Sequence, residues 1–322
     1  MEGLKGAERK MATGLSKISV VVPVYNSAAV LPRLAKEVES VLAACSTGFE
    51  LILVNDASPD QSWQAISGLA RENAWVHGIN LMRNVGQHNA LLCGIRAAKY
   101  EIIATIDDDL QNPPDQIPLL LNKLEDGFDV VYGTPEEEQH GLLRDLASKI
   151  TKLVLQNAMG AEIARNISAF RVFRTPVREA FHDYRGPFVS IDVLLTWGTT
   201  RFVALRVRHE PRREGVSGYT LKKLIVHAVN MMTGFSVLPL QLASLIGFGF
   251  TVLGLLALAF VVARFLTQGS AVPGFPFLAS LIAVFSGAQL FALGIIGEYL
   301  ARVHFRIMDR PPYTVRSEAH GE

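Results

Sequence analysis

Between Ile106 and Pro114 the chain reads Ile-Asp-Asp-Asp-Leu-Gln-Asn-Pro-Pro, three carboxylates in a row with an amide two residues beyond the last. Adjacent carboxylates repel one another unless a cation or hydrogen-bond donors neutralise them. Hard oxygen ligands of this kind suit Mg2+ or Mn2+, held by one or two carboxylates while substrate phosphates complete the shell. The run follows Glu101-Ile102-Ile103-Ala104-Thr105, which reads as a buried strand. In an open α/β sheet, the carboxyl ends of the strands are where ligands bind. A solvated acidic turn ahead of a helix would carry the same residues, so the neighbours must decide. A second polar stretch runs from Arg206 to Tyr219 and holds Arg212, Arg213 and Ser217. Alone it reads as a strand running into a solvated basic loop. Its place just ahead of a long apolar segment argues against that reading.

The elements that must position these residues follow a β-α rhythm. Lys17 to Asn26, Phe49 to Val54, Val76 to Met82 and Phe128 to Gly133 are apolar runs rich in β-branched residues, each read as a strand. Helical spacing marks Leu31, Leu34, Val38, Val41 and Leu42, and helices are expected from about Gly86 to Lys99 and from Pro114 to Glu125. Such repetition predicts a doubly wound parallel sheet. Parallel strands place the loops at Asn26, Asp56, Asn84 to His88 and Asp107 to Gln111 along one sheet edge. That edge suits a nucleotide. The chain has no GxGxxG at its first turn and no GxxxxGK[ST], so Rossmann dehydrogenase and P-loop chemistry lose support. Leu142 to Met159 has an amphipathic helical pattern, Glu136 to Glu138 reads as a solvated loop, and Ser168 to Arg174 reads as a strand.

Apolar residues make up 49% of the 322, and most of the excess lies beyond residue 234. From Tyr219 to Gly234, Leu221, Leu224, Ile225, Ala228, Val229 and Met232 share a helical face that Lys222, Lys223 and His227 avoid, the pattern of an interfacial helix. Leu238 to Ala263 and Phe277 to Gly297 are uncharged and long enough to span about 30 Å of hydrocarbon. Lys222, Lys223, Arg302, Arg306 and Arg310 flank the outer ends, which predicts a catalytic domain and both termini on the cytoplasmic side of the inner membrane. The expected division is a flexible tail 1–17 without a signal-peptide pattern, a catalytic domain 18–218 and an interfacial helix 219–234. Transmembrane helices at 235–266 and 276–297 follow, then a juxtamembrane helix and C-terminal tail over 298–322. A net charge of +1 gives no nucleic-acid footprint, and Cys45 and Cys93 read as small core residues rather than a disulfide framework.

Five stretches together carry a family resemblance: Val22 to Asn26, Asn55 to Ser58, Arg83 to Asn89, Asp107 to Pro114, and Arg212-x-x-Gly215-x-Ser217-x-Tyr219. In that order, and with the apolar pair behind them, they resemble glycosyltransferase family 2, in its polyprenyl-phosphate glycosyltransferase branch. The resemblance runs from about Ile18 to Val315. It implies a GT-A (Rossmann-like) α/β catalytic domain with a C-terminal two-helix transmembrane hairpin and interfacial helices. The implied activity is metal-dependent, inverting transfer from a nucleotide-sugar, first of all a UDP-sugar, to undecaprenyl or another polyprenyl phosphate. The lipid-linked monosaccharide would serve envelope glycan or lipid A modification.

By the same resemblance, Asp56 holds the base or ribose with Pro23, Tyr25 and Asn26 lining the pocket, and Asp107 sits near the donor sugar or ribose. Asp109 and Gln111 hold Mg2+ or Mn2+, while Arg212, Ser217 and Tyr219 hold the acceptor phosphate. Asp107, Asp109 and Arg212 form the catalytic set. Membrane lipid is the expected surroundings, nucleic acid is not an expected partner, and a homo-oligomer is compatible with the pattern. Ser27 and Gly218 depart from residues common in the branch, with Lys222 or Lys223 as substitutes for a Lys at 218, and so does Arg165-Asn166, a change that leaves the donor sugar open. His88 and Asp192 are further candidates, as phosphate-positioning and sugar-contacting residues or as structural ones. The competing readings are a non-catalytic membrane scaffold or lipid flippase component, and a family-2 transferase acting on a glycan; a processive synthase should carry Gln-x-x-Arg-Trp, which is missing.

Overall fold

The computed structural model describes residues 16–135, 166–186, 188–210, 238–268 and 274–321. The chain divides into two compact units, one of residues 1–220 with 310–322 and the other of residues 221–309. The expected helix 142–159, the acidic loop 136–138, the interfacial helix 219–234 and the residues Arg212, Ser217 and Tyr219 lie outside the described residues.

In the first unit, β1 (Ile18–Val24), β2 (Phe49–Asn55) and β3 (Val76–Leu81) alternate with α1 (Leu31–Cys45) and α2 (Ser62–Glu72). They continue through α3 (Gln87–Ala97), β4 (Ile102–Thr105), α4 (Ile117–Glu125) and β5 (Val130–Pro135). Then come β6 (Arg171–Arg174), α5 (Ile191–Gly198) and β7 (Phe202–Val207). The eight-stranded sheet has the order β7-β5-β6-β4-β1-β2-β3-β8, where β8 is Val315–His320. Its centre, β4-β1-β2-β3, is parallel, as β-α-β crossovers require. β1 to β4 are buried along their lengths apart from Phe49, because helices cover both faces of a parallel sheet. α3 packs so closely that a Cβ on Gly94 would stand 2.4 Å from Val21 Cγ1, which is why this helix carries glycine there.

Two strands depart from the parallel expectation. β6 runs antiparallel between β4 and β5. The second departure corrects the expected C-terminal tail: residues 315–320 form β8, antiparallel to β3, with His77 opposite His320 and Asn80 opposite Ser317. Its alternating charged and small residues suit an edge strand, whose exposed face and open side favour charge. In the basic stretch β7 ends at Val207, and residues 208–210, the last described there, lie beyond the strand.

The second unit contains α6 (Leu238–Gln268) and α7 (Phe275–Ile307). Leu240–Arg264 of α6 is long and apolar enough to cross a bilayer. Leu245, Phe248, Leu256, Phe260 and Leu266 are exposed along it, which a soluble helix of this length would bury. The two helices touch through Phe250 and Phe285, edge to face at 5.9 Å, and the bare Cα of Gly254 faces the Phe285 ring. α7 runs unbroken past the uncharged segment into Glu298 and Arg302, which pair at 2.7 Å, so the expected juxtamembrane helix is its last turns.

Candidate active site

Each of the strands β1 to β4 ends in a loop that contains one residue with left-handed backbone. These are Asn26 (φ 59°) after β1, Ala57 (φ 50°) after β2, Gly86 (φ 90°) after β3 and Leu110 (φ 57°) after β4. Asn visits that region readily and Gly freely, but Ala and Leu do not. Strain of this kind costs about 1–3 kcal/mol per residue and survives only where the surroundings over-determine it.

The surroundings here are a closed circuit of loop-to-loop hydrogen bonds. Between the β1 and β2 loops, the Asn26 amide donates to Ser58 Oγ (3.1 Å) and the Ala28 amide to Asp60 Oδ2 (3.1 Å). Between the β2 and β3 loops, Asp56 accepts from the amides of Val85 (2.7 Å) and Gly86 (2.8 Å), one on each oxygen. The start of α3 reaches the β4 loop, where Gln87 Nε2 donates to Asp107 Oδ1 at 2.7 Å. The circuit closes at Asp108, whose Oδ2 accepts from the Tyr25 amide (3.1 Å) and from Ser27 Oγ (2.6 Å). A site whose walls hold one another needs little ordering when a ligand arrives.

This circuit sorts the three carboxylates. Asp108 is a tie between loops; burial pushes its carboxyl pKa up, Asp109 adds to the rise, and its bonds from Ser27 and Tyr25 oppose it. Asp109 Oδ1 accepts the Gln111 amide at 3.1 Å, a tight turn about Leu110 that brings the Asp109 carboxylate and the Gln111 side chain onto one loop with Asp107. The segment after β7 docks on the same loop. The Glu210 amide donates to the Gln111 carbonyl (2.8 Å), His209 Nδ1 lies 3.2 Å from Asn112 Oδ1, and Arg208 pairs with Asp115 at 2.7 Å.

The other expected site residues fall as follows. Tyr25 and Asn26 are exposed on the β1 loop. Pro23 is buried within β1, beyond the last β1–β4 pair of Val21 with Thr105, so its missing N–H breaks no bond to β4. Asp56 is buried and its first task is loop-tying; burial raises its pKa against the lowering effect of the two amides. His88 Nδ1 accepts the Ile191 amide at 3.4 Å, which gives this ring a structural task at the start of α5.

Asp192 is also accounted for. It forms an ion pair with Arg171, which is only 1% exposed, and accepts from the Tyr132 hydroxyl at 3.1 Å. Arg171 Nε also donates to Thr105 Oγ1 at 3.1 Å, two residues before Asp107. This cluster is a buried footing for the acidic loop. Nothing in the sequence tied Arg171 to Asp192, 21 residues away; the one available signal was that Arg171 starts a strand whose Val172 and Phe173 are apolar.

A doubly wound sheet whose four loops meet along one edge, acidic at β4, defines an α/β protein with its ligand edge at the carboxyl ends of its strands. Residues 19–181 match the model of glycosyl transferase family 2, and the chain belongs to that family. It is 33% identical to an undecaprenyl-phosphate 4-deoxy-4-formamido-L-arabinose transferase of Pseudomonas aeruginosa over 92% of this chain and 89% of that one. It is equally 33% identical to the protein of that name from Shewanella sediminis, over 95% and 93% of the two chains. Among solved structures, the glucosyl-3-phosphoglycerate synthase of Mycobacterium tuberculosis in complex with Mn2+, UDP and phosphoglyceric acid aligns with a TM-score of 0.49. Its identity is 18%, over 68% of this chain and 76% of that one.

Proposed function

We propose that this glycosyltransferase moves a sugar from a nucleotide-sugar to a polyprenyl phosphate at the cytoplasmic face of a membrane, with inversion at the anomeric carbon. The observation that carries the reading is the loop circuit, which joins Tyr25, Asp56, Gln87 and the Asp107–Gln111 turn into one preorganised edge. The two relatives named above, which match over nearly their whole lengths, support a polyprenyl phosphate as acceptor.

The donor set of the β4 turn is all oxygen, a carboxylate at Asp109 and an amide at Gln111, and suits Mg2+ or Mn2+. Such an ion would supply Lewis-acid stabilisation of the departing nucleoside diphosphate. Asp107, fixed by Gln87, orients the ribose or donor sugar, and Tyr25, Asn26 and the Asp56 loop wall the base. An acceptor phosphate monoester, with its second pKa near about 6, is largely dianionic at neutral pH and needs little general-base help. What it needs is alignment and relief from repulsion by the diphosphate. Arg212, two residues in sequence beyond Glu210, whose amide donates to the Gln111 carbonyl, is assigned that task with Ser217 and Tyr219.

The return of the chain bears on topology. β8 pairs with β3, so residues 315–320 lie on the same side of any membrane as the catalytic sheet. A chain that leaves this unit after residue 220 and re-enters it at 310 crosses an even number of times. If α6 spans, α7 spans back. Accessibility tags at Met1 and Glu322 should therefore report one side, the cytoplasmic one, and a tag between Gln268 and Gly274 the other. Opposite sides for the two ends would overturn the hairpin.

Arg212→Ala should raise the acceptor concentration needed for half-maximal rate by about tenfold or more, the scale of one lost charged hydrogen bond, and leave nucleotide-sugar affinity unchanged. Arg212→Lys should restore part of the loss, because a point charge replaces a bidentate fork. Donor affinity by calorimetry and initial rates at varied acceptor separate the two effects. Loss of donor binding in Arg212→Ala would place this residue on the diphosphate instead. The function as a whole is tested by incubating the full-length protein and undecaprenyl phosphate with a panel of nucleotide-sugars. A glycolipid product from one of them is the expected result, and none from any would overturn the reading.

A further inference from the structure

At the end of β3 remote from the four loops, three potential ligands converge across the β3–β8 pair. His77 stands opposite His320, and Glu318 is two residues from His320 on the same strand. Residues i and i+2 of a strand share a face, and directly paired residues share it too, so all three side chains project together. His77 Nε2 lies 3.2 Å and His320 Nε2 3.1 Å from the same oxygen, Glu318 Oε2. The two imidazoles stack with centroids 4.2 Å apart. One ligand atom from each residue lies within 4.8 Å of the others, and no other group of three does so among the described residues.

We propose that His77, Glu318 and His320 form a second, non-catalytic metal site of the Zn2+ class, which clamps β8 onto β3. Two imidazole nitrogens and one carboxylate are a Zn2+ ligand set, with a water in the fourth position. Tetrahedral ligands held about 2.0–2.1 Å from zinc stand roughly 3.3 Å apart, close to the separations found here. Mg2+ favours six oxygens and is a poor match. The fourth position has room, because a cleft lined by Glu50, Trp75, Lys99 and Tyr100 opens beside His77 and His320.

Two features temper the affinity. Lys99 adds a repulsive charge, and His77 Nδ1 is buried with no hydrogen-bond partner among the described residues. Metal on Nε2 moves the ring proton onto that nitrogen, where no protein acceptor receives it. The site should therefore bind more weakly than a closed structural zinc site.

The test uses full-length protein in detergent without a polyhistidine tag, with excess Mg2+ to fill the oxygen site. Zn2+ is titrated against a chromophoric chelator, and amide exchange is followed across residues 315–320 with and without Zn2+. The parent should bind one equivalent and slow exchange in β8. His320→Ala and Glu318→Gln, both at partly exposed positions of an edge strand, should each weaken Zn2+ by about 10–100-fold or more and abolish that slowing. No binding by the parent, an unchanged affinity in both variants, or β8 exchange indifferent to Zn2+ would each overturn the proposal.

Discussion

Asp109→Asn should lower turnover by about two to three orders of magnitude, the cost of losing one preorganised charge at a developing leaving group. Its neighbour supplies the control. Asp108→Asn keeps an oxygen that can accept from the Tyr25 amide and Ser27 Oγ, and it removes a like charge beside Asp109. Its loss should stay within about tenfold, the scale of one net hydrogen bond. Both variants keep the volume of the turn, so a difference between them reports charge rather than packing. Single-turnover rates at saturating nucleotide-sugar and Mn2+, compared with the parent, decide the matter. Equal collapse in both variants would make the middle carboxylate a ligand and undo the assignment of Asp108 as a loop tie.

The second large effect concerns stability. Asp192→Ala removes the partner of a guanidinium that has almost no contact with water and should cost about 3–5 kcal/mol, as breaking one side of a buried pair does. Replacing both partners with apolar residues of similar volume, Arg171→Met with Asp192→Leu, should recover most of that loss, because no charge is then stranded. Urea unfolding of the full-length protein in detergent, followed by tryptophan fluorescence, measures it. Trp197 on α5 packs edge to face on Tyr184 and reports this region directly. If Asp192→Ala unfolds at the parental midpoint, the pair does not hold the footing of the acidic loop. The double variant also separates footing from chemistry: stability without activity would show that the polar link from Arg171 to Thr105 matters to the geometry above it.

Much of this edge was legible in the sequence because its signals are local. Apolar runs such as Ile18–Val24 and Phe49–Asn55 have the length and β-branching of buried parallel strands, and their polar ends mark the loops. The Asp107–Gln111 turn was legible for the same reason. What escaped were pairings that sequence distance conceals. Asp108 looked equal to its neighbours until Tyr25 and Ser27, more than 80 residues earlier, claimed it. Arg171 was legible only as a strand residue, since nothing local announces a carboxylate arriving from α5. Motif position marked Pro23 as a pocket wall and Asp56 as the holder of the base or ribose, but it could not show that Pro23 is buried in β1 or that Asp56 also accepts two amides of the neighbouring loop. β8 escaped because Val-Arg-Ser-Glu-Ala-His has the composition of a solvated tail, and only an open β3 edge makes a strand of it.

That last strand sets a timetable for the chain's birth. His77 and Glu318 are 241 residues apart, so at about 5–20 residues per second a ribosome needs roughly 12–48 s to deliver β8 after β3 has been made. For that interval the edge of β3, Val-His-Gly-Ile-Asn-Leu, is bare, with neither lysine nor proline to guard it. The apolar helices α6 and α7 are synthesised in between. The sheet is thus still sticky on one side while the long apolar helices are being made. A fragment that stops near residue 231 is consequently more than an enzyme without its membrane segment. It keeps the open edge for good, and aggregation or proteolysis becomes the expected fate of any product that halts before its helices are made.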